Sequence, residues 1–268
     1  MNTDLEQSSV VLTEHKLGAN LLLAEATLNV ESTLNALNLE MIQRLTRALD
    51  SWANRPEVVA VLLTGAGDKA FCAGGDIQAL YHAIVSNHQQ KVINNRYPFD
   101  FFAQEYALDY QLHTYAKPVI CLGHGVVMGG GMGLFSAANF RVVTERSKLA
   151  LPEITIGLFP DAGATWSLNQ MATHQAVFLG LTGSHVNATD ALAVGLATHV
   201  VSHAQRDTLL TSLKALSYTA NAASNTQLIG EALDSLPGVE MPAGEIAQLP
   251  VFETSLSDLA KQVQILDG

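Results

Sequence analysis

The stretch from Lys117 to Gly163, KPVICLGHGVVMGGGMGLFSAANFRVVTERSKLALPEITIGLFPDAG, constrains this chain more than any other. It opens on a run of buried-strand character, Val119 to Leu122, and reaches three consecutive glycines, Gly129, Gly130 and Gly131. A helix-like segment of small residues follows, Met132 to Ala138. Glycines at a strand-to-helix junction let another group approach the backbone closely. A helix starting there points N–H groups without intrahelical acceptors at that group, which suits an anion or a developing oxyanion. A turn that merely lets a helix pack tightly explains three glycines equally well. Two carboxylates in apolar surroundings tip the balance toward chemistry. Glu153 follows Leu149-Ala150-Leu151-Pro152, and Asp161 follows Ile156-Gly157-Leu158-Phe159-Pro160.

At 268 residues the chain can bury a large core, as one domain or as a domain with an appendage. Hydrophobic residues make up 48% and charged ones 15%, the balance of a globular protein. A net charge of −11 argues against a nucleic-acid surface, RNA included, where Lys and Arg should cluster. Cys72 and Cys121 are too far apart for a CxxC motif and read as two reduced, buried thiols of an intracellular protein. The polar, acidic start MNTDLEQSSV is unlike a signal or transit peptide, and no apolar run is long enough to span a bilayer. These features predict a cytoplasmic protein with no membrane partner.

Along the chain, Val10 to Leu17 and Leu21 to Val30 read as two strands around the turn Gly18-Ala19-Asn20. Residues 38 to 53 form a helix with Ile42, Leu45, Leu49 and Trp52 on one face and Asn38 as N-cap. Val58 to Leu63 is a continuous apolar run, the kind of strand covered on both faces in a parallel sheet. Helix followed by buried strand, repeated, predicts a parallel α/β architecture with right-handed crossovers.

Next comes TGAGDKAFCAGGDI, residues 64 to 77. Ala73, Gly74 and Gly75 can expose backbone N–H groups there. Asp76 is placed to cap the following helix, its more natural role. Gly75 is the candidate for a second N–H donor beside the triple glycine; whether the two loops meet is not written in the sequence. Residues 78 to 116 read as helix interrupted near Pro98, with Phe101, Leu108, Leu112 and Tyr115 on one stripe. Glu105 falls inside that stripe, where a carboxylate needs a partner or a purpose unless it reaches water at the edge. Tyr81, Tyr97 and Tyr106 read as core aromatics, and His124 as a packing or hydrogen-bonding residue beside the turn. The nine histidines are scattered and predict no metal site.

With these residues in view, AFCAGGDI (70–77), HGVVMGGGMGL (124–134) and LPEITIGLFPDAG (151–163) resemble the crotonase (enoyl-CoA hydratase/isomerase) superfamily. LNALN (34–38) and LTG…ALAVGLATHVV (181–201) match as well, so the resemblance covers roughly Val11 to Val201. Three motifs in order are specific for the superfamily. The GLFPD string points to its 3-hydroxyisobutyryl-CoA hydrolase branch.

The resemblance implies a crotonase-like fold of repeated ββα units with parallel sheets over residues 1–201, then a helical C-terminal region over 202–268. It implies an acyl-CoA substrate, no cofactor beyond the CoA carried by that substrate, and a place in valine catabolism; it leaves homo-oligomerisation open. Two backbone N–H groups that polarise the thioester carbonyl would be those of Gly75 and Gly130. The branch's catalytic glutamate matches Glu153, its partner aspartate Asp161, and its substrate-binding glutamate Glu105. Ala73, Gly130 and Asp76 fall with Glu105, Glu153 and Asp161 in the segments expected to touch substrate, and Lys69 is one candidate for a CoA contact. Enoyl-CoA hydratases carry a second glutamate at the position of Gly133, and dienoyl-CoA isomerases a carboxylate there. Glycine at 133 therefore predicts a single carboxylate on that side of the substrate and favours thioester hydrolysis. A hydratase or isomerase, or a non-catalytic acyl-CoA-binding protein, are the alternatives. Asp161 has a second, local explanation as N-cap of a helix running to Met171.

The C-terminal part carries weaker signals. Leu209, Leu213 and Leu216 predict a helix, Pro237, Pro242 and Pro250 a loop, and Leu256, Leu259, Val263 and Leu266 one more short helix. Members of the hydrolase branch continue beyond the equivalent point with helices that help cover the acyl-CoA site, which implies that this chain is a fragment or a shortened member.

Overall fold

The computed structural model describes residues 8–91 and 96–245. The chain opens with an antiparallel pair, β1 (Val10–Lys16) and β2 (Leu22–Leu28), joined by a 3-10 turn over Gly18–Asn20. Helix α1 (Leu39–Ala53) follows. Asn38 caps it by accepting the Met41 N–H at 2.9 Å, and Met41, Ile42, Leu45, Leu49 and Trp52 form its buried face.

One unit then occurs three times: a strand for a large sheet, a short strand for a small sheet, and one or two helices. The first is β3 (Val58–Gly65), β4 (Ala70–Cys72), α2 (Ile77–Gln89) and α3 (Arg96–His113). The second is β5 (Val119–Gly123), β6 (Val126–Met128) and α4 (Gly130–Ala137). The third is β7 (Phe140–Val143), β8 (Lys148–Ala150), α5 (Ala164–Leu168) and α6 (Thr173–Thr182). The chain continues through β9 (Val186–Asn187), α7 (Ala188–Ala193), β10 (His199–Val200), α8 (Arg206–Lys214) and α9 (Ala222–Asp234).

The large sheet runs β1-β2-β3-β5-β7-β10, parallel from β2 onward, and the small one β4-β6-β8-β9, parallel from β4 to β8. This is the expected ββα repeat with mostly parallel sheets. Consecutive strands of each unit go to different sheets, so neighbours within a sheet come from different units.

The continuous apolar run of β3 has a simple cause. Val58, Val61 and Leu63 face one core with α1 and α3, while Val59, Ala60 and Leu62 face a second. That second core is closed by Leu209 and Leu213 of α8 and by Ile229 and Leu233 of α9. A strand buried on both faces has no polar side to show. Leu216 lies just past α8 and is half-buried against the same core. Helix α9, capped by Asn221 accepting the Ser224 N–H at 2.9 Å, falls in the expected helical C-terminal region, although its own bounds were not read from the sequence. Pro237 and Pro242 lie in the loop beyond it; Pro250 and the helix expected from Leu256 to Leu266 fall outside the described residues.

Three local expectations need correction. The helix break comes before Pro98, because α2 ends at Gln89 and α3 starts at Arg96. Pro98 sits in the first turn of α3, where its missing N–H costs no intrahelical bond. Tyr81 and Tyr106 are not core, at 61% and 41% exposure, whereas Tyr97 is half-buried. Asp161 does not cap the next helix. That helix is only five residues long, and its N-cap is Gly163, without a side-chain bond. No helix among the described residues is long and apolar enough to cross a membrane.

Candidate active site

The carboxyl ends of β4, β6 and β8 lie side by side because the three strands are parallel neighbours in the small sheet. Cys72 pairs with Val127, and Met128 pairs with Ala150. Each strand runs into one loop of interest: Ala73 to Gly75 after β4, Gly129 and Gly130 after β6, and Leu151 to Glu153 after β8. Ligands of parallel α/β sheets bind at such strand ends. A cavity of about 130 Å³ opens there, lined among others by Ala73, Gly75, Glu105, Gly130, Glu153 and Asp161.

The triple glycine meets three separate demands. Gly129 has φ 50° and ψ −124°, a backbone state that side chains rarely tolerate. A Cβ on Gly130 would lie 2.1 Å from Glu105 Oε1, so glycine leaves room for that carboxyl. A Cβ on Gly131 would strike the Cys72 backbone carbonyl at 2.4 Å, so glycine lets α4 settle on the end of β4. Because α4 begins at Gly130, its first N–H groups lack intrahelical acceptors.

Gly75 is held by the LNALN segment. The Leu37 N–H donates to the Gly74 carbonyl at 2.7 Å, and the Asp76 N–H donates to the Leu37 carbonyl at 2.7 Å. This parallel bridge uses the neighbours of Gly75 and turns its own N–H away from Leu37. Asn35, fully buried, ties the same segment down by accepting the Val30 N–H and donating to the Ala66 and Ala70 carbonyls. The two loops touch: a Cβ on Gly74 would come 3.7 Å from the Gly130 nitrogen.

Carboxyls line the same cavity. Glu153 starts a 3-10 turn over Glu153–Ile156 and is 5% exposed; its Oε2 has no hydrogen-bond partner among the described residues. Burial, reinforced by the nearby charge of Asp161, pushes its carboxyl up to about 7. Glu105 is buried and pushed up to about 8, by burial first and then by Asp161 and Glu153. Its inward position follows from the stripe it shares with Phe101, Leu108 and Leu112, all buried. Asp161 accepts a hydrogen bond from the Tyr106 hydroxyl at 2.5 Å.

Asp109 is the residue that the sequence reading passed over. It sits one turn beyond Glu105 on α3, buried, with neither carboxyl oxygen partnered among the described residues. Burial, then Glu105 and Asp161, hold its carboxyl well above the usual range. A Cβ on Gly133 would lie 2.6 Å from Asp109 Oδ2 and 2.9 Å from the Ala162 Cβ. The expectation of a single carboxylate beside position 133 is thus corrected: Asp109 brings one there from the facing helix. The available signal was its spacing of four residues from Glu105.

Asp76 does not line the cavity. Its carboxylate caps α2 by accepting the Ala79 N–H at 2.9 Å. Lys69 is exposed and does not line it either. His124 is buried, hydrogen-bonded to the Gly67 carbonyl at 3.1 Å, and pushed down to about 4 by burial. Cys72 and Cys121 are free, buried thiols. No group of three or more His, Cys, Asp or Glu among the described residues is arranged to hold a metal ion.

The chain is similar to known proteins. The enoyl-CoA hydratase/isomerase family model matches residues 23–259. The mitochondrial 3-hydroxyisobutyryl-CoA hydrolase of Bos taurus is 39% identical over 216 residues, 81% of this chain and 53% of that protein. The 3-hydroxyisobutyryl-CoA hydrolase 1 of Arabidopsis thaliana is 38% identical over 80% of this chain and 53% of its own length. The chain thus spans about half the length of these curated relatives. Among solved structures, a carnitinyl-CoA dehydratase from Mycobacterium thermoresistibile superposes with a TM-score of 0.75 and 31% identity, over 90% of this chain and 64% of that one. An enoyl-CoA hydratase from Rhodobacter sphaeroides 2.4.1 gives 0.73 and 32%, over 94% and 66%.

Proposed function

The chain belongs to the enoyl-CoA hydratase/isomerase family, and from that premise we propose that it hydrolyses a short 3-hydroxyacyl-CoA thioester, of the 3-hydroxyisobutyryl-CoA kind, to the free acid and CoA. The observation that carries this reading is the meeting of Gly75, Gly130 and the Glu153 carboxyl on one cavity. The relatives named as 3-hydroxyisobutyryl-CoA hydrolases support it.

In this reading the thioester oxygen accepts hydrogen bonds from the Gly75 and Gly130 N–H groups. They stabilise the negative charge that develops on it, each contributing about 3–4 kcal/mol in comparable sites. Ionised Glu153 attacks the carbonyl carbon and expels CoA as the thiolate, leaving an anhydride that water cleaves, or it takes the proton of an attacking water. A carboxyl poised near neutral pH suits either role. Asp161, aimed by Tyr106, and Glu105 pair with the 3-hydroxyl of the substrate. CoA is the leaving group, and no separate cofactor takes part.

Adding water across a C=C needs an acid and a base on either side of that water. Position 133, which would supply one of them, is glycine, and Asp109 and Ala162 fill the space a side chain would take. The test follows free thiol and enoyl absorbance side by side. Thiol release from 3-hydroxyisobutyryl-CoA or 3-hydroxypropionyl-CoA, with slow hydration of crotonyl-CoA at most, is the expected result. Rapid loss of enoyl absorbance without thiol release would transfer the chain to the hydratases.

A further inference from the structure

Two cavities share one wall in this molecule. The site cavity of about 130 Å³ has a neighbour of about 370 Å³ between α3, α4 and α5. Three segments of the chain cross from one to the other. On α3 Glu105 lines the smaller cavity and Tyr106 the larger. On α4 Gly130 lines the smaller and Gly133 the larger, and beyond β8 Asp161 lines the smaller and Ala162 the larger. The larger cavity has a mainly apolar surface, with Tyr110, Ala137, Ala162 and Trp166 in its lining and no Lys or Arg. Asp109 and Ser167 also belong to that lining, but their side-chain oxygens have almost no accessible surface and offer a ligand nothing polar.

Tyr106 stands on the shared wall. Its hydroxyl donates to Asp161 Oδ2 at 2.5 Å, and its ring packs on Phe102 with centroids 5.8 Å apart. Asp161 and Phe102 both line the smaller cavity, whereas Tyr106 lines the larger. Two separate contacts of one side chain therefore span the boundary, tying α3 to the Asp161 loop across it.

We propose that Tyr106 sets the length of acyl group that the site accepts, by closing the passage from the smaller cavity into the larger, apolar one. The proposal rests on the acyl-CoA reading of the smaller cavity. A chain that outgrows that cavity can go on only by displacing the ring and breaking the hydroxyl bond to Asp161, a cost that short chains do not meet. With the ring gone, the same chain would run into apolar space and gain about fourfold in affinity per buried methylene.

The test is calorimetric binding of two CoA ketone analogues in which methylene replaces the thioester sulfur, so that neither can be hydrolysed. One carries a 3-hydroxybutanoyl chain and the other a 3-hydroxyoctanoyl chain. The parent should bind the octanoyl analogue no more tightly than the butanoyl one. Tyr106→Ala should raise the octanoyl-to-butanoyl affinity ratio at least about 10-fold, where four fully buried methylenes would give roughly 200-fold. Tyr106→Phe keeps the ring and loses the bond, and should raise the ratio about threefold. Any loosening of Asp161 weakens both analogues alike, since both carry the 3-hydroxyl, and cancels in the ratio. Tyr106 is 41% exposed, so neither variant opens the core. A parent that already favours the octanoyl chain about 10-fold, or a ratio unchanged in Tyr106→Ala, overturns the proposal. An unchanged ratio in Tyr106→Phe overturns the part given to the hydrogen bond. Failure of both analogues to bind would overturn the proposal together with the acyl-CoA reading. Because binding is read without turnover, a chain that hydrolyses no thioester can still show the length limit, and a working hydrolase can lack it.

Discussion

The two sides of the cavity hold their chemistry by different means. In the proposed reading Gly75 and Gly130 offer backbone N–H groups whose positions come from strand pairing and the start of a helix; such dipoles carry no net charge to desolvate. On the other side Glu105, Asp109, Glu153 and Asp161 bring four carboxyls into a region whose two cavities have no Lys or Arg in their linings. There burial and mutual repulsion push Glu105 to about 8 and Glu153 to about 7. The backbone side is therefore always ready, whereas the carboxyl side changes character with pH. At neutral pH Glu105 is mainly a hydrogen-bond donor, and Glu153 is divided between acid and base.

Substituting across this divide tests it. Glu153→Gln should have the largest effect, lowering thiol release by about 10³-fold while acyl-CoA binding persists, because the general base or nucleophile is gone and the donors remain. Near-normal turnover in that variant would remove Glu153 from the mechanism. In the unaltered chain, kcat should rise with pH through about 7 as Glu153 ionises.

Gly130→Ala comes next. Its Cβ would lie 2.1 Å from Glu105 Oε1, so it disturbs both sides at once. Turnover should fall about 10²-fold from the displaced donor, with about 1–3 kcal/mol of stability lost to overpacking. A variant as active and as stable as the parent would show that the close approach of Gly130 and Glu105 does not matter.

Glu105 supplies a pH test of intermediate size. Its folded-state value of about 8 lies above the ordinary 4.5. Between those values the unfolded chain releases a proton that the folded chain keeps, so stability is full below that window and declines as pH rises through it. Glu105→Gln should flatten the decline and raise the melting temperature relative to the parent at pH 8. An unchanged slope would mean that Glu105 is not the buried acid described above.

The smallest effect is expected at Asp76→Ala. Loss of the α2 cap should cost about 1 kcal/mol of stability and leave KM and kcat unchanged, since Asp76 lies outside the cavity lining. A raised KM would return Asp76 to the substrate-binding residues.

Much of this molecule was readable before its structure. The helix over 39–53, the buried strand at Val58, the glycine junction and the apolar setting of Glu153 carry local patterns that survive folding, whereas Ile156 and Phe159 before Asp161 are exposed. Periodicity put Glu105 inside the apolar stripe of α3 but left open that it reaches water at the edge, and it gave no weight to Asp109, because a polar residue beside a stripe can as well face water. Its burial depends on α4 packing against that face with only a glycine at 133. Tyr106 was misjudged for the converse reason: its helix position allows burial, yet it stays 41% exposed and its hydroxyl serves Asp161.

What the sequence determined by itself is the longer local elements, such as the helix over 39–53 and the strand at Val58, and the glycine and carboxylate residue types of the candidate site. What only the tertiary structure decided is their meeting. Strands β4, β6 and β8 are three residues each, too short for a side-chain period to be read. Their pairing joins residues 22 to 56 positions apart, through parallel crossovers that no local propensity specifies. Only when those pairings form do the ends at Gly75, Gly130 and Glu153 come to one place.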